Sequence, residues 1–165
     1  MMEWLMTMRT PIAIGGLFAC MGLEALWRFR APLEPLWRHY GLNLALAALS
    51  SLGIRLVFGG LFVTVAAYAH SEGLGLLGLW DGPIWAEILL TMLFYDLLTY
   101  VMHVLYHFLP VLWRLHQVHH SDRDYDVSTA SRFHPFEIIF STAVQILLAS
   151  ALGAHPAGVL IFQML

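Results

Sequence analysis

The chain has 165 residues, of which 59% are hydrophobic and only 12% charged, a balance far from that of a soluble globular domain and suited to a lipid solvent. All eight basic residues are Arg, and the net charge of -3 leaves no basic surface for tracking phosphates, so nucleic-acid binding is excluded as a function class. The single Cys20 lies in an apolar run, cannot form an intramolecular disulfide, and is read as packing.

Four apolar stretches approach the roughly 20 residues that a helix needs to cross a bilayer, near residues 11–27, 42–69, 83–109 and 136–152. The first lacks a positive leader and a cleavage site, so it reads as a retained membrane helix. The second is too long for one perpendicular helix and carries Arg55. Its first half, GLNLALAALSSLGI, is expected to enter along the interface with Arg55 snorkelling to the headgroups, and LVFGGLFVTVAAYA to run deeper. Trp27, Trp37, Trp80, Trp85 and Trp113 fall near the expected helix ends, where an indole sits well at the headgroups. Arg28, Arg30 and Arg38 in one connection, and Arg114, Arg123 and Arg132 in another, assign both to the cytoplasmic side. The acidic connection holding Glu72 and Asp81 is then outside, together with the N-terminus. A fifth apolar segment, AGVLIFQML, starts after Pro156 and stops after less than half a crossing, which predicts a chain incomplete at its C-terminus. No repeat or linker divides the sequence, so residues 1–165 are expected to form one membrane-embedded domain.

Five of the nine histidines lie between residues 103 and 120. His103 and His107, four apart at the end of an apolar helix, project from one face. His116, His119 and His120 share one side of a second, short helix if WRLHQVHH is helical, and Pro110 separates the two. His134 precedes Pro135, which is well placed as the first residue of the next span. All six then emerge at one membrane face from three elements, and two imidazole boxes so close together point to a metal site. His134 has a second reading, as a cap of the helix that follows. Asp96 and Tyr100 continue the histidine face into the membrane, either as hydrogen-bond partners that orient ligand rings or as links between helices. Glu137 either orients His134 or favours the helix N-terminus through the macrodipole. His39, His70 and His155 have no histidine partner at ligand spacing and read as interfacial, while Asp122, Asp124 and Asp126 read as a solvated loop.

From Asp96 to Glu137 the stretch DLLTYVMHVLYHFLPVLWRLHQVHHSDRDYDVSTASRFHPFE resembles the fatty acid hydroxylase and sterol desaturase superfamily of membrane histidine-box enzymes. Both boxes, the intervening Pro-x-x-Trp and the Arg-Phe-His-Pro-x-Glu element occur in the expected order. The resemblance implies an all-α scaffold of about four transmembrane helices with a cytosolic, histidine-rich helical cap. It further implies two iron ions, with zinc able to occupy the site on purification, and O2-dependent hydroxylation or desaturation of a lipid. Its ligands correspond to His103, His107, His116, His119, His120 and His134, with Asp96, Tyr100 and Glu137 supporting them. A further histidine cluster that members carry downstream is not reached by this sequence, so weak or no activity is expected of the chain alone. No reductase domain is visible, so electrons are expected from a separate reductase, ferredoxin or cytochrome, and the Arg-only composition suggests a bacterial inner membrane. Alternatives to the oxygenase are a redox-inert metal-binding or metal-transporting membrane protein, a bis-histidine haem protein, which the i, i+4 spacing disfavours, and an inactive fragment.

Overall fold

A computed structural model describes residues 2–28 and 30–164, and among them the only regular structure is helical. In chain order the helices are α1 (Met2–Leu26), α2 (Leu36–Phe58), α3 (Leu61–Ser71), α4 (Gly75–Gly78), α5 (Ile84–Phe108), α6 (Pro110–His120), α7 (Pro135–Leu152) and α8 (Pro156–Phe162). A short 3₁₀ helix covers Val127–Ser131. Among the described residues four helices are long and apolar enough to cross a membrane: α1, α2, α5 and α7. All backbone groups of such a helix are satisfied within it, which is what a hydrocarbon solvent demands.

The long second apolar stretch resolves differently from its sequence reading. Gly59 adopts a left-handed φ of 53°, which ends α2, and Gly60 precedes a separate helix, α3. The crossing helix is therefore the earlier half of the stretch, Leu36–Phe58, while α3, at 11 residues, is too short to span. Arg55 consequently falls in the last turn of α2, where a guanidinium reaches the headgroups and complements the helix C-terminus.

Contacts group the chain into two compact units. One comprises Met1–Ala13, Phe58–His103 and Phe140–Leu165, and the other Ile14–Val57 and Val104–Ile139.

The first unit is packed around Phe62, Ala66, Leu77, Tyr95, Ala149, Leu152 and Val159. Between lipid-embedded helices, association relies on close packing and hydrogen bonds rather than on expulsion of water, which favours small residues. Ala66, Ala149, Ala154 and Ala157 are fully buried, and Gly158 lies so close to Thr91 that a Cβ there would sit 2.8 Å from the threonine Cβ. Tyr95 is the largest fully buried side chain, and its hydroxyl donates to the Gln145 carbonyl at 2.9 Å, so the aromatic ring enters the core without an unpaired polar group. After α7 the chain turns at Gly153, at φ 66°, with its backbone against Leu74.

The second unit holds α6, the 3₁₀ turn, the first turn of α7 and the flanking parts of α1, α2 and α5. It contains the buried polar side chains His39, Asn43, His116, Ser128, Thr129 and Glu137. This concentration of buried polarity is where a site is to be sought.

Gly153 gives a direct test of the first unit. A Cβ there would lie 1.9 Å from the Leu74 carbonyl oxygen. Gly153→Ala should cost at least about 1–3 kcal/mol from the left-handed backbone alone, with the clash in addition, and this is measurable as a lowered unfolding temperature in detergent.

Candidate metal centre

Helix α5 ends at Phe108 because Pro110 forces Leu109 out of the helical region, to φ -95° and ψ 119°, and then serves as the first residue of α6. His107 stands in the last turn of α5, and His103 one turn earlier on the same unbroken helix. Residues 110–120 are helical, so His116, His119 and His120 share a side of α6 as their spacing predicts.

His116 is buried to 1% exposure, and its Nδ1 lies 2.7 Å from Oε1 of Glu137, itself 3% exposed. With the carboxylate accepting, Nδ1 carries the proton and Nε2 keeps its lone pair, which is the tautomer a metal ligand needs. His120 Nε2 lies 3.2 Å from His116 Nε2 and 3.1 Å from His107 Nε2. His120 Nε2 has a single in-plane site, which either donates or accepts, whereas a cation among the three nitrogens could engage all of them at once. Two further buried polar atoms next to this group have no hydrogen-bond partner among the described residues: His119 Nδ1 and Glu137 Oε2. Converging imidazoles with orphaned donors beside them fit a borderline metal ion such as iron or zinc.

Of the residues singled out in the sequence, His107, His116 and His120 form a group of candidate ligands within the second unit, whereas His103 belongs to the first. His119 lies outside it, its ring stacked on Phe133 at 4.7 Å, with centroids 5.1 Å from His120. His134 accepts the Phe136 backbone N–H at its Nδ1, 3.2 Å away, in the manner of a cap. In that arrangement the proton sits on Nε2, so ligation by His134 requires the cap to open. Glu137 bonds to His116 rather than to His134. Asp96 and Tyr100 occupy exposed positions on α5, and Tyr100 is 66% exposed.

The walls of the site are aromatic, and the sequence reading did not assign them. Tyr106 stacks on His116 at 5.4 Å and donates its hydroxyl to the Glu137 carbonyl at 3.2 Å. Trp113 lies 5.4 Å from His107 and 5.6 Å from His120, so it lines the site as well as marking an interface. Tyr106 and Phe133 sit inside the quoted motifs, HVLYH and RFHPFE, and were legible there as neighbours of candidate ligands.

The segment after the second box is not the solvated loop that its aspartates suggest. The Asp122 and Asp126 side chains are 2% and 8% exposed and flank His39, with contacts of 3.5 Å and 3.0 Å. Asp122 also accepts from Thr129 (2.7 Å) and Asn43 (3.1 Å). Burial works against its charge, but these hydrogen bonds outweigh it and hold the carboxyl below its usual range. Arg132 donates to the Val118 carbonyl, Asn43 Oδ1 and Ser121 Oγ. Asp126 and Thr129 close a reciprocal cap on the 3₁₀ turn. Through these bonds α2 holds the loop that links the second box to His134.

Residues 88–165 match the fatty acid hydroxylase family model. Over this part the chain is similar to the fatty acid hydroxylase family, in keeping with the superfamily that the histidine boxes resemble. No curated protein and no solved structure matches the chain.

Glu137→Ala should lower metal affinity about 10- to 100-fold, since a carboxylate behind a ligand histidine fixes its tautomer; equilibrium metal titration of the detergent-purified protein measures this. A second expectation concerns Asp124, whose carboxyl is held below its ordinary range first by the Leu33 N–H and then by that of Glu34. Its folded value is depressed, so this tether stabilises fully above the unfolded carboxylate value of about 3.9 and is lost as pH falls through the lower folded value. Amide exchange at Leu33 and Glu34 should stay slow at pH 5 and rise in stronger acid, and Asp124→Asn should abolish that acid dependence.

Proposed function

We propose that this integral membrane protein is an O2-dependent lipid hydroxylase or desaturase with a non-haem di-iron centre. The observation that carries the reading is the convergence of the His107, His116 and His120 Nε2 atoms beside two orphaned buried donors, in a chain similar to the fatty acid hydroxylase family. His107, His116 and His120 would hold one ion, we assign His119 and His134 to the second, and His103 is kept as a ligand on the family resemblance alone.

When bound, two adjacent irons supply electrons for O2 cleavage and an oxidant for an unactivated C–H bond. The remaining tasks fall to the chain. Glu137 holds the His116 proton at Nδ1, which leaves the lone pair on Nε2, the atom that would face the metal. Tyr106 fixes the α7 backbone at Glu137, so the carboxylate meets His116 from a set direction. Tyr106 packs on His116, Phe133 on His119, and Trp113 on His107 and His120, and together they offer an apolar wall against which an acyl chain can pack. The loop network keeps His119 and His120 at the end of a rigid α6.

In this reading the substrate is a membrane lipid, and a separate reductase, ferredoxin or cytochrome supplies the electrons. The site faces the cytoplasm of a bacterial inner membrane. The test is expression in a bacterial host followed by mass spectrometry of membrane lipids, paired with metal analysis of the purified protein. The expected result is bound iron and a lipid that has gained an oxygen or lost two hydrogens, with both signals lost in His120→Ala. Zinc without iron after growth in iron-replete medium, together with an unchanged lipid profile, would favour a redox-inert metal protein.

A further inference from the structure

The sequence reading left His70 and His155 as isolated interfacial residues, yet the fold brings them together. His70 lies in the last turn of α3, His155 precedes α8, and their rings stand 4.6 Å apart in an edge-on arrangement. Glu87, in the first turn of α5, completes the group, with Oε2 3.9 Å from His70 Nδ1. One donor atom from each of the three lies within 4.8 Å of the others. All three belong to the first unit, and none belongs to a histidine box.

The Glu87 carboxylate is 12% exposed, and its only ionic partner among the described residues is His70. No Arg or Lys lies between residues 58 and 103 or between 140 and 165, whereas Glu72, Asp81, Glu87 and Asp96 do. Arg9, the one Arg of this unit, is engaged with Gln163. A half-buried carboxylate facing two imidazoles in a unit so poor in cations has a natural counter-charge in a metal ion.

We propose that His70, Glu87 and His155 form a second metal site that takes a zinc-class divalent ion. Two imidazoles and one carboxylate are a known zinc donor set, and the partly exposed positions of all three leave a fourth place for water. Bonds of about 2.0–2.1 Å in a tetrahedron place donors roughly 3.4 Å apart, so small side-chain rotations suffice to close the group. His155 carries a specific cost. Its Nδ1 accepts the Ala157 N–H at 3.1 Å and caps α8, whereas ligation through Nε2 needs the proton on Nδ1. Metal binding therefore releases that cap, while the His155 N–H keeps its bond to Thr91 Oγ1.

The test is zinc titration of the full chain in detergent, with elemental analysis after desalting. Four proteins are compared: wild type, the box variant His107→Ala/His120→Ala, and the cluster variants Glu87→Gln and His155→Asn. Asn preserves a helix cap but removes the imidazole, and Gln preserves shape but removes the charge, so folding is maintained and is checked by circular dichroism. The folded box variant should still bind one equivalent, and each cluster variant should lose one relative to wild type. Amide exchange at Ala157 should quicken when zinc is added to the box variant. A folded box variant that binds no zinc, or cluster variants that keep the wild-type stoichiometry, would overturn the proposal.

Discussion

The contact between His116 and Glu137 sets the terms for the rest of the candidate metal centre. Both side chains are almost fully buried, and a carboxylate removed from water is tolerable only when a donor faces it. The 2.7 Å bond satisfies the acid and selects the imidazole tautomer, and it does so between residues 21 positions apart on α6 and α7. Once His116 Nε2 is committed as a lone pair, the positions of His107 and His120 acquire chemical meaning, since their Nε2 atoms gather with it at hydrogen-bond distance. Tyr106 adds to the same constraint from α5, stacking on the ring and holding the backbone of the acid.

Around this bond the second unit uses irregular structure where a soluble enzyme would often use a regular element. The loop from Ser121 to His134 is bonded to α2 through Asn43 and His39, to the α6 backbone through Arg132, and to α1 through Glu24, which accepts the Val127 N–H. A buried network of this kind is favourable only when nearly every member is satisfied, and here its polar side chains find partners. Its effect is to make the end of α6 rigid, which matters for a site whose donors must be held to fractions of an ångström.

What could be read in the sequence was what depends on local spacing. The two boxes, the α5 break at Leu109–Pro110, the short helix α6 and the Pro135 start of α7 all follow from periodicity and proline chemistry, and the structure has them at those places. Three of the four crossing helices lie close to the apolar runs that suggested them. The α2–α3 break was hidden because hydropathy averages over Gly59 and Gly60, which look like ordinary members of an apolar stretch until one of them adopts a positive φ. Partnerships across the fold were hidden for a different reason. Nothing local to Glu137 says that it faces His116 instead of His134, nothing around His39 announces two aspartates from residues 122 and 126, and His70 and His155 meet only because α3 and α8 pack together. Aspartates spaced two apart in a polar run give the same pattern whether the loop is wet or folded inward.

The bonds of the 121–134 loop also constrain how related chains can diverge. Asp122 is counted from His120, Asp124 meets the amides of Leu33 and Glu34, Asp126 caps the turn ending at Ser131, and Arg132 reaches back to Val118. Each anchor fixes the number of residues to the next, so one inserted residue would carry every later side chain off its acceptor. Loops elsewhere on a protein surface usually tolerate changes of length better than the helices they join. Here the bonds reverse that tolerance, so that exchanging a side chain at constant length disturbs the segment less than adding or removing a residue.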